Sequence, residues 1–212
     1  EAGAKVIIWD LLDVAAETAK EFGAEFMKIS VTEPGQVQDA VADIATRYGK
    51  IDILVNNAGI LRDRSLLKMS HQEWQQVIDV NLTGVFLCGR EAATQMTKHQ
   101  KSGVIINISS ISRAGNPGQS NYAAAKAGVA ALTTTWAREL ARFNIRSVAI
   151  APGVFETEMV ASMKPEAYER ITSAIPLKRT GSLTELSQTI NFLIENDYVN
   201  GRVIELDGGL RL

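Results

Sequence analysis

A phenol and an ammonium stand four residues apart in the sequence, as Tyr122 and Lys126. On a helix this spacing places both side chains on one face. A nearby ammonium favours an ionised phenol, so we expect the pKa of Tyr122 to be lowered and its proton to exchange near neutral pH. Of the four tyrosines, only Tyr122 has a lysine at this distance. The alternative is an exposed helical pair worth about 0.3 kcal/mol.

Two hydroxyl groups, those of Ser109 and Ser110, end the apolar run 104–108. Such a β-branched run predicts a buried parallel strand that delivers a serine at its carboxyl end. Ligands bind at that end of the strands in open α/β sheets. A loop rich in glycine, asparagine and proline, residues 113–120, then leads to the helix of Tyr122.

Strands and helices alternate along the whole chain. The predicted strands are 5–9, 25–31, 51–55, 104–108, 145–150 and 202–206, and the predicted helices are 14–22, 36–48, 71–99, 121–143 and 182–195. Strands separated by helices of this length form parallel βαβ units with right-handed crossovers. The sequence therefore predicts one α/β domain over residues 1–212, a doubly wound parallel sheet in a Rossmann-like three-layer sandwich.

Composition narrows the classes of function. A chain of 212 residues with 46% hydrophobic residues buries a sizeable core. Its net charge of −2 argues against nucleic acid as a partner. The single cysteine, Cys88, has no second cysteine with which to form an internal disulfide. One cysteine and two histidines are too few for a transition-metal cluster. We find no signal peptide and no apolar stretch of membrane-spanning length, and expect a cytoplasmic protein.

Asp10 ends the first predicted strand. In Rossmann-like folds an acid at this place accepts hydrogen bonds from the adenosine ribose hydroxyls. A carboxylate there also repels a 2′-phosphate, so Asp10 favours NAD(H) and leaves NADP(H) as the second choice. The alternative is an aspartate that caps the next helix.

Three further places suit a ligand. The small residues of the run Asn56-Asn57-Ala58-Gly59 let the backbone approach a flat molecule, although the run alone would be only a turn. Asn81, in the middle of a predicted helix, either holds a local distortion and a water near the Tyr122 helix or simply faces solvent. Pro152 and Gly153 follow a strand and present backbone groups together with the Thr157 hydroxyl.

In their order and spacing these residues resemble the short-chain dehydrogenase/reductase family, over essentially the whole chain. The motifs that carry the resemblance are Asn56-Asn57-Ala58-Gly59, Asn81, the serine pair, Tyr122 with Lys126, Pro152-Gly153 with Thr157, and Asp207-Gly208-Gly209. Within the family, the stretch 118–128 is most similar to the 3-oxoacyl-[acyl-carrier-protein] reductases.

The resemblance implies a role for each catalytic candidate. Tyr122 would be the general acid that protonates a carbonyl oxygen as hydride arrives from a nicotinamide. Lys126 would lower the pKa of Tyr122 and bind the nicotinamide ribose. Ser110 would hydrogen-bond the substrate oxygen, and Asn81 would anchor a proton-relay water to Lys126.

It also implies the cofactor contacts. Asn57, Ala58 and Gly59 would border the adenosine ribose and the nicotinamide side of the cofactor. Ser30 and Val31 would lie near the adenine, although the family more often has aspartate at the place of Ser30. Pro152, Gly153 and Thr157 would hold the carboxamide, and Tyr122 and Lys126 would also contact the cofactor.

The serine spacing departs from the family pattern. The family usually has its catalytic serine 13 positions before the tyrosine, which here selects Ser109, whereas Ser110 lies 12 positions before Tyr122. Anchoring on the end of the strand instead selects Ser110, with a loop one residue shorter. We take Ser110 as the catalytic serine and keep Ser109 as the alternative.

The family's glycine-rich opening loop, which places a pyrophosphate on a helix N-terminus, has no counterpart in the sequence. We expect a first βα unit of about 30 residues to be missing before Glu1, the alternative being a degenerate family member. The missing strand would be central, so its loss should expose strand edges and apolar faces. These 212 residues alone should then bind a nicotinamide cofactor poorly.

The predicted function is hydride transfer between a nicotinamide cofactor and a ketone or secondary alcohol. The resemblance implies a 3-oxoacyl thioester on acyl carrier protein, a substrate of fatty acid biosynthesis. Three alternatives stay open: an oxidoreductase of another small alcohol, sugar or steroid; an isomerase or epimerase that uses the same tyrosine and lysine; and a non-catalytic cofactor-binding homologue.

Substrate and assembly are weakly encoded. Residues 155–178 are expected to form a lid whose apolar contacts come from Met159, Met163 and Ile175. Arg113 and Arg179 are candidates to meet an acidic carrier protein. A homodimer or homotetramer is expected, joined through the helices 71–99 and 121–143, with the terminal residues 209–212 crossing to another subunit.

Overall fold

The computed structural model describes residues 3–157, 160 and 163–211. Two residues with predicted roles, Met159 of the lid and Leu212 of the terminal segment, lie outside the described residues. The strands are β1 (Ile7–Asp10), β2 (Glu25–Lys28), β3 (Ile53–Asn56), β4 (Gly103–Ile108), β5 (Ile145–Pro152) and β6 (Val203–Leu206). The α-helices are α1 (Val14–Glu21), α2 (Pro34–Tyr48), α3 (His71–Ile78), α4 (Gly84–His99), α5 (Ser120–Leu140), α6 (Pro165–Ala174) and α7 (Leu183–Glu195).

All strand pairs are parallel, which confirms the predicted α/β class. The strands form two ladders, β1–β2 and β3–β4–β5–β6, so within the described part of the chain β1 and β3 each keep one unpaired edge. Apolar side chains are exposed beside these edges, with Val6 51% and Val55 40% accessible. The exposed edges and apolar side chains that the sequence led us to expect are therefore present.

Helices cover both faces of the four-stranded ladder. On one face α4 and α5 pack on β4 through residues such as Val129 and Ile105. On the other face α7 packs through Leu193 against Val104 and Ile106 of β4. Successive residues of β4 thus point into the cores on opposite faces of the sheet, as a strand buried on both faces requires. A third cluster joins α2 and α4 to Trp9 of β1.

Local sequence signals account for the helix ends. Ser70 and Glu73 form a reciprocal capping box at the start of α3, and Ser182 and Glu185 form another at the start of α7. Helix α2 ends at Gly49, whose φ of 75° is the left-handed conformation that glycine adopts most easily. None of the described helices is both long and apolar enough to cross a lipid bilayer.

The predicted helix 71–99 is not continuous α-helix. A π-helical turn, Asp79–Thr83, separates α3 from α4, and Asn81 lies in its middle. The distortion expected at Asn81 is therefore confirmed. The predicted strand 25–31 is also too long, because the Ser30 N–H donates to the Gln36 side chain at 3.0 Å and leaves the ladder.

The predicted lid contains a helix that the sequence analysis did not identify, α6, with Pro165 in its first turn. Ile175, expected to contact substrate, is only 1% exposed at the end of this helix. A Cβ on Gly208 would lie 2.8 Å from the Ile175 side chain, so the two segments are closely packed. Ile175 is thus a core residue, and its predicted substrate contact is wrong.

Candidate active site

The carboxyl ends of β3, β4 and β5 lie at one edge of the ladder, because the three strands are adjacent and parallel. The strands lead there into the segments that begin with Asn57, Ser109 and Gly153. Helix α5 lies against this edge and carries Tyr122 and Lys126 near its start. The topology therefore gathers the candidates from four distant parts of the chain.

Tyr122 and Lys126 lie on one face of α5, as their spacing predicts. The Lys126 Nζ lies 5.6 Å from the centroid of the Tyr122 ring, within the range of a cation–π contact. Lys126 is only 3% exposed, and its Nζ donates to the Ile108 carbonyl oxygen at 2.7 Å. The reading as an exposed helical pair is therefore wrong.

Burial lowers the pKa of Lys126 to about 8, because a desolvated ammonium is disfavoured relative to the neutral amine. The shift leaves the side chain predominantly protonated at pH 7. Lys126 is therefore a charged group held in a nearly dry site, with the Ile108 carbonyl and the Tyr122 ring beside it.

The pKa of Tyr122 is raised, contrary to the lowering predicted from the sequence. Burial is the main cause, since it disfavours the phenolate, and a hydrogen bond with Ser110 opposes it to a smaller extent. The Lys126 ammonium donates to a backbone carbonyl, and it is not among the groups that shift the Tyr122 pKa. The prediction failed because spacing does not reveal how deeply the phenol is buried.

The two serines have different surroundings. Ser109 is buried and its Oγ donates to the Lys126 carbonyl oxygen at 2.9 Å. Ser110 precedes the short 3-10 helix Ile111–Ala114, where its Oγ accepts from the Ser112 N–H at 3.1 Å, and its side chain reaches Tyr122. This arrangement favours Ser110 as the serine that acts beside Tyr122.

Asn81 is fully buried, so the solvent-facing alternative is wrong. Its Oδ1 accepts from the Ile60 N–H at 2.9 Å, and its Nδ2 donates to the Ile60 carbonyl at 3.1 Å. A Cβ on Gly59 would lie 3.6 Å from the Asn81 Nδ2. Asn81 thus fixes the end of the segment 57–60 that follows β3.

Residues 57–59 are exposed, whereas Asn56 is buried. Asn56 begins a polar chain inside the protein: its Nδ2 donates to Asn107 Oδ1 at 2.8 Å, and Asn107 Nδ2 donates to Thr133 Oγ1 at 2.9 Å. Neither Asn107 nor Thr133 was predicted from the sequence to belong to the site. An asparagine inside the apolar run 104–108 was the signal that could have found them, since a buried amide needs partners.

Asp10 lies at the carboxyl end of β1 with its side chain exposed. Its Oδ1 accepts from the Leu12 N–H at 2.9 Å, and Asp13, not Asp10, is the residue that precedes α1. The helix-cap alternative for Asp10 is therefore wrong. Within the part of the chain described, no partner occupies the second carboxylate oxygen, and a ribose hydroxyl suits it chemically.

Ser30 and Val31 follow β2 and are partly buried. The Ser30 hydroxyl shares a hydrogen bond of 2.8 Å with the Thr32 hydroxyl. Val31 packs against Gly84, where an added Cβ would lie 2.8 Å from the Val31 Cγ2. Both residues therefore have a structural function at the end of this strand, and their contact with an adenine stays a prediction.

Pro152 ends β5, and Gly153 approaches the turn after β6 very closely. A Cβ on Gly153 would lie 2.8 Å from the Asp207 Cα, so only glycine fits there without displacement. The Gly153 N–H donates to the Leu206 carbonyl at 2.9 Å. Thr157 is exposed farther along the same segment. The Gly153 N–H is thus paired within the fold while Thr157 is accessible, and the contact of this segment with a carboxamide stays a prediction.

The loop before Tyr122 is tied to the loop after β3. The Arg64 N–H donates to the Gly118 carbonyl at 2.8 Å. The Asn121 Nδ2 donates to the carbonyl oxygens of Arg62 and Glu73, each at 3.1 Å. The two loops thus form one wall beside Tyr122. Asn121, predicted only as part of the stretch 118–128, is one of the residues that join them.

Comparisons with known proteins agree with this geometry. A family model described as Enoyl-(Acyl carrier protein) reductase matches residues 1–211. The chain therefore belongs to the short-chain dehydrogenase/reductase family.

Its relatives share much of their length with it. A 3-oxoacyl-[acyl-carrier-protein] reductase FabG of Thermotoga maritima is 48% identical over 185 residues, which cover 86% of this chain and 75% of the relative. The protein of the same name from Staphylococcus epidermidis is 41% identical over 206 residues, 95% of this chain and 84% of the relative. A 3-oxoacyl-[acyl-carrier-protein] reductase of Synechocystis is 44% identical over 188 residues, 87% of this chain and 74% of the relative.

Proposed function

We propose that this protein is an NAD(P)H-dependent reductase of 3-oxoacyl thioesters carried on acyl carrier protein. The observation that carries the proposal is the buried grouping of the Tyr122 phenol with Ser110 and the Lys126 ammonium at the carboxyl edge of the sheet. The printed names of the relatives supply the substrate class.

Tyr122 is the proton donor in this proposal. Its raised pKa keeps the phenol neutral at pH 7, which suits donation to a carbonyl oxygen that gains negative charge. The Ser110 hydroxyl, next to the phenol, is placed to hydrogen-bond the same oxygen. The nicotinamide cofactor, when bound, supplies the hydride. We assign Lys126 to the nicotinamide ribose.

The residues expected to hold the cofactor are those at the carboxyl ends of the strands. We assign the adenosine ribose to Asp10, and the adenine surroundings to Ser30 and Val31. We assign the carboxamide to the segment from Pro152 to Thr157. Asp10 favours NAD(H), because a carboxylate repels a 2′-phosphate. Asn81 is assigned the water that relays protons to Lys126.

The two arginines suggested for the carrier protein have partners within this chain. Arg113 contacts Glu205 at 2.6 Å, and Arg179 contacts both oxygens of Glu185 at 2.6 and 2.8 Å. Paired guanidinium groups attract an acidic protein less than free ones do. The proposal of an acyl carrier protein as partner therefore depends on the relatives and not on these arginines.

We further propose a homodimer or homotetramer joined through α4 and α5. A shallow hollow of about 280 Å³ lies between them, lined by residues that include Phe86 and Trp136, and Phe86 is 41% exposed. An exposed aromatic residue beside such a hollow is typical of interfaces. Phe86→Glu should lower the molar mass measured by light scattering, whereas Tyr198→Glu, at a fully exposed tyrosine elsewhere, should leave it unchanged.

The reaction is tested by following NADH and NADPH oxidation with acetoacetyl-CoA as the substrate, using the chain with a glycine-rich βα unit joined before Glu1. We expect turnover with a preference for NADH, and loss of turnover in Tyr122→Phe with cofactor binding retained. Turnover with NADPH alone would keep the reaction and overturn the role of Asp10. Equal activity of wild type and Tyr122→Phe would remove the mechanism. Product formation without net cofactor oxidation would indicate an isomerase or epimerase instead.

A further inference from the structure

Lys126 is held at both its backbone and its side chain by two consecutive residues of the chain. Its Nζ donates to the Ile108 carbonyl at 2.7 Å, and its own carbonyl oxygen accepts from the Ser109 Oγ at 2.9 Å. Both contacts come from the carboxyl end of β4 and are shielded from water. The carbonyl of Lys126 is thus fixed to the strand at the same place as its ammonium.

A second polar contact joins the same strand to the same helix. Asn107 donates to the Thr133 Oγ1 at 2.9 Å, and the Thr133 hydroxyl donates to the Val129 carbonyl at 2.9 Å. Asn56 on the neighbouring strand donates to Asn107 Oδ1 at 2.8 Å and so fixes which way the amide points. Asn107 and Thr133 have no exposed surface.

Both contacts lie on the same face of the strand and on the same face of the helix. Asn107 and Ser109 are two residues apart on an extended segment and point to the same face. Lys126 and Thr133 are seven residues apart, about two turns of helix α5, and also share a face. Two directional contacts at different heights fix both the position of the helix along the strand and its rotation.

Apolar packing alone does not fix these quantities. Val129, between the two contacts on α5, packs with Ile105 in the main core, but hydrophobic contacts are not directional. Hydrogen bonds to buried groups are directional, and a shift of the helix would leave their donors and acceptors unpaired. The polar contacts therefore resist a small slide that the apolar core tolerates.

We propose that Ser109 and the Asn107–Thr133 pair are positioning residues. They fix helix α5 on strand β4 and so place Tyr122 and Lys126 at the carboxyl edge of the sheet. Through its hydrogen bond to Asn107, Asn56 links the position of helix α5 to residues 57–59, which immediately follow Asn56 and are proposed to border the cofactor. Ser109 is then not a substitute for Ser110 as substrate ligand but the residue that holds Lys126. The inference rests on the proposed function for the roles of Tyr122 and Lys126.

Matched variants separate positioning from simple loss of a buried hydroxyl. Ser109→Ala and Thr133→Val each remove one contact, and Thr133→Ser retains the hydroxyl. Ser147→Ala is the control, because Ser147 on the neighbouring strand is also fully buried while its hydroxyl has no hydrogen-bond partner in the part of the chain that the structure describes. Thermal unfolding of each variant shows whether it is folded at the temperature of the assay.

The first readout is steady-state kinetics. We expect Ser109→Ala and Thr133→Val to lower kcat about tenfold with KM for the ketone changed by less than about twofold, since small misplacements of catalytic groups act on the chemical step. Thr133→Ser should recover most of the rate, and Ser147→Ala should equal the wild type. Equal kcat in Ser109→Ala and Ser147→Ala, both folded, would overturn the proposal.

The second readout does not need turnover. The pKa of Tyr122 is measured by NMR with 13Cζ-labelled tyrosine, using Tyr122→Phe to assign the signal. A shift of at least about half a pH unit in Ser109→Ala, absent in Ser147→Ala, supports the positioning role. An unshifted Tyr122 signal overturns it, even if the protein proves inactive towards 3-oxoacyl thioesters. Failure of the proposed reaction is thus distinguishable from failure of this inference.

Discussion

The Asn81 side chain pairs with both backbone polar groups of Ile60, accepting from its N–H at 2.9 Å and donating to its carbonyl at 3.1 Å. Asn81 lies in a π-helical turn, which is rare in proteins and often lies near functional sites. Because Ile60 follows residues 57–59, the turn is linked directly to the segment proposed to border the cofactor.

Asn81→Leu is expected to destabilise the protein by about 2–4 kcal/mol, because it leaves two buried backbone groups of Ile60 unpaired. Asn81→Asp keeps the acceptor for the Ile60 N–H but buries a carboxylate facing the Ile60 carbonyl, so it should also destabilise the protein. Urea unfolding measures both. A loss below about 0.5 kcal/mol for Asn81→Leu would show that the two hydrogen bonds do not hold this segment.

Much of the fold follows from sequence periodicity. Runs such as 104–108 and 145–150 are mostly apolar, which favours strands covered on both faces, and both are central strands of the four-stranded ladder. The helix predicted over 182–195 is found at Leu183–Glu195, with Ser182 and Glu185 forming the capping box at its start. These signals are local, so they do not depend on knowing which segments meet in space.

The environment of the site could not be predicted in the same way. The raised pKa of Tyr122 arises from burial by distant segments, and the Asn107–Thr133 contact joins residues 26 positions apart. Ile175 was assigned to a substrate pocket because it is apolar, but apolarity does not distinguish a core contact from a ligand contact. Such features depend on tertiary packing, which spacing along one chain does not specify.

Gly153→Ala should destabilise the protein by about 1–3 kcal/mol, because the new Cβ would meet the Asp207 backbone at 2.8 Å. It should also weaken nicotinamide binding if this segment holds the carboxamide. Gly35→Ala is the matched control, since its Cβ would meet nothing within 4 Å in the first turn of α2. Gly35→Ala should be neutral or stabilising by about 0.5–1 kcal/mol. Equal unfolding midpoints for the two variants would contradict the close approach at Gly153.

Arg146 is expected to be important for stability and unimportant for catalysis. Its guanidinium donates to the carbonyls of Leu193 and Ile194, each at 2.8 Å, near the end of α7. Arg146→Met should cost about 2–4 kcal/mol, because it unpairs these carbonyls and removes a cation from the helix C-terminus. Arg146→Lys keeps the charge but has fewer donors and should be intermediate. We expect kcat to be unchanged in both folded variants, because Arg146 lies near the amino end of β5, away from the site. A lowered kcat would show that Arg146 also contributes to catalysis.

Lys126→Met should abolish turnover and stabilise the fold at pH 7. The pKa of Lys126 falls from 10.5 to about 8 on folding, so the unfolded chain holds this proton more tightly than the native protein does. At about 1.36 kcal/mol per pH unit, the cost of keeping Lys126 charged in the native state approaches about 3 kcal/mol. Urea unfolding of the wild type and Lys126→Met at pH 7 should show the variant more stable, by less than this value because the contact with the Ile108 carbonyl is also lost.

The sign of the pH dependence follows from the same depressed pKa. Between about pH 8 and 10.5 the native lysine is already neutral while the unfolded one still carries its proton, so wild-type stability rises with pH relative to Lys126→Met. The gap between the two proteins should therefore narrow with pH across this window and stay constant below it. A gap that widens from pH 8 upwards would mean that Lys126 is not held as a desolvated cation.

The activity of the wild type should fall at alkaline pH for the same reason. The pH dependence of kcat/KM for the cofactor reports groups of the free enzyme, so it should decline above about pH 8 as Lys126 loses its charge. Lys126→Arg keeps a cation at every accessible pH, and if it retains measurable turnover, its profile should lose this decline. Comparing the two profiles in the same buffers separates Lys126 from other groups that titrate in the range. A decline at about pH 8 that persists unchanged in Lys126→Arg would assign it to a different residue.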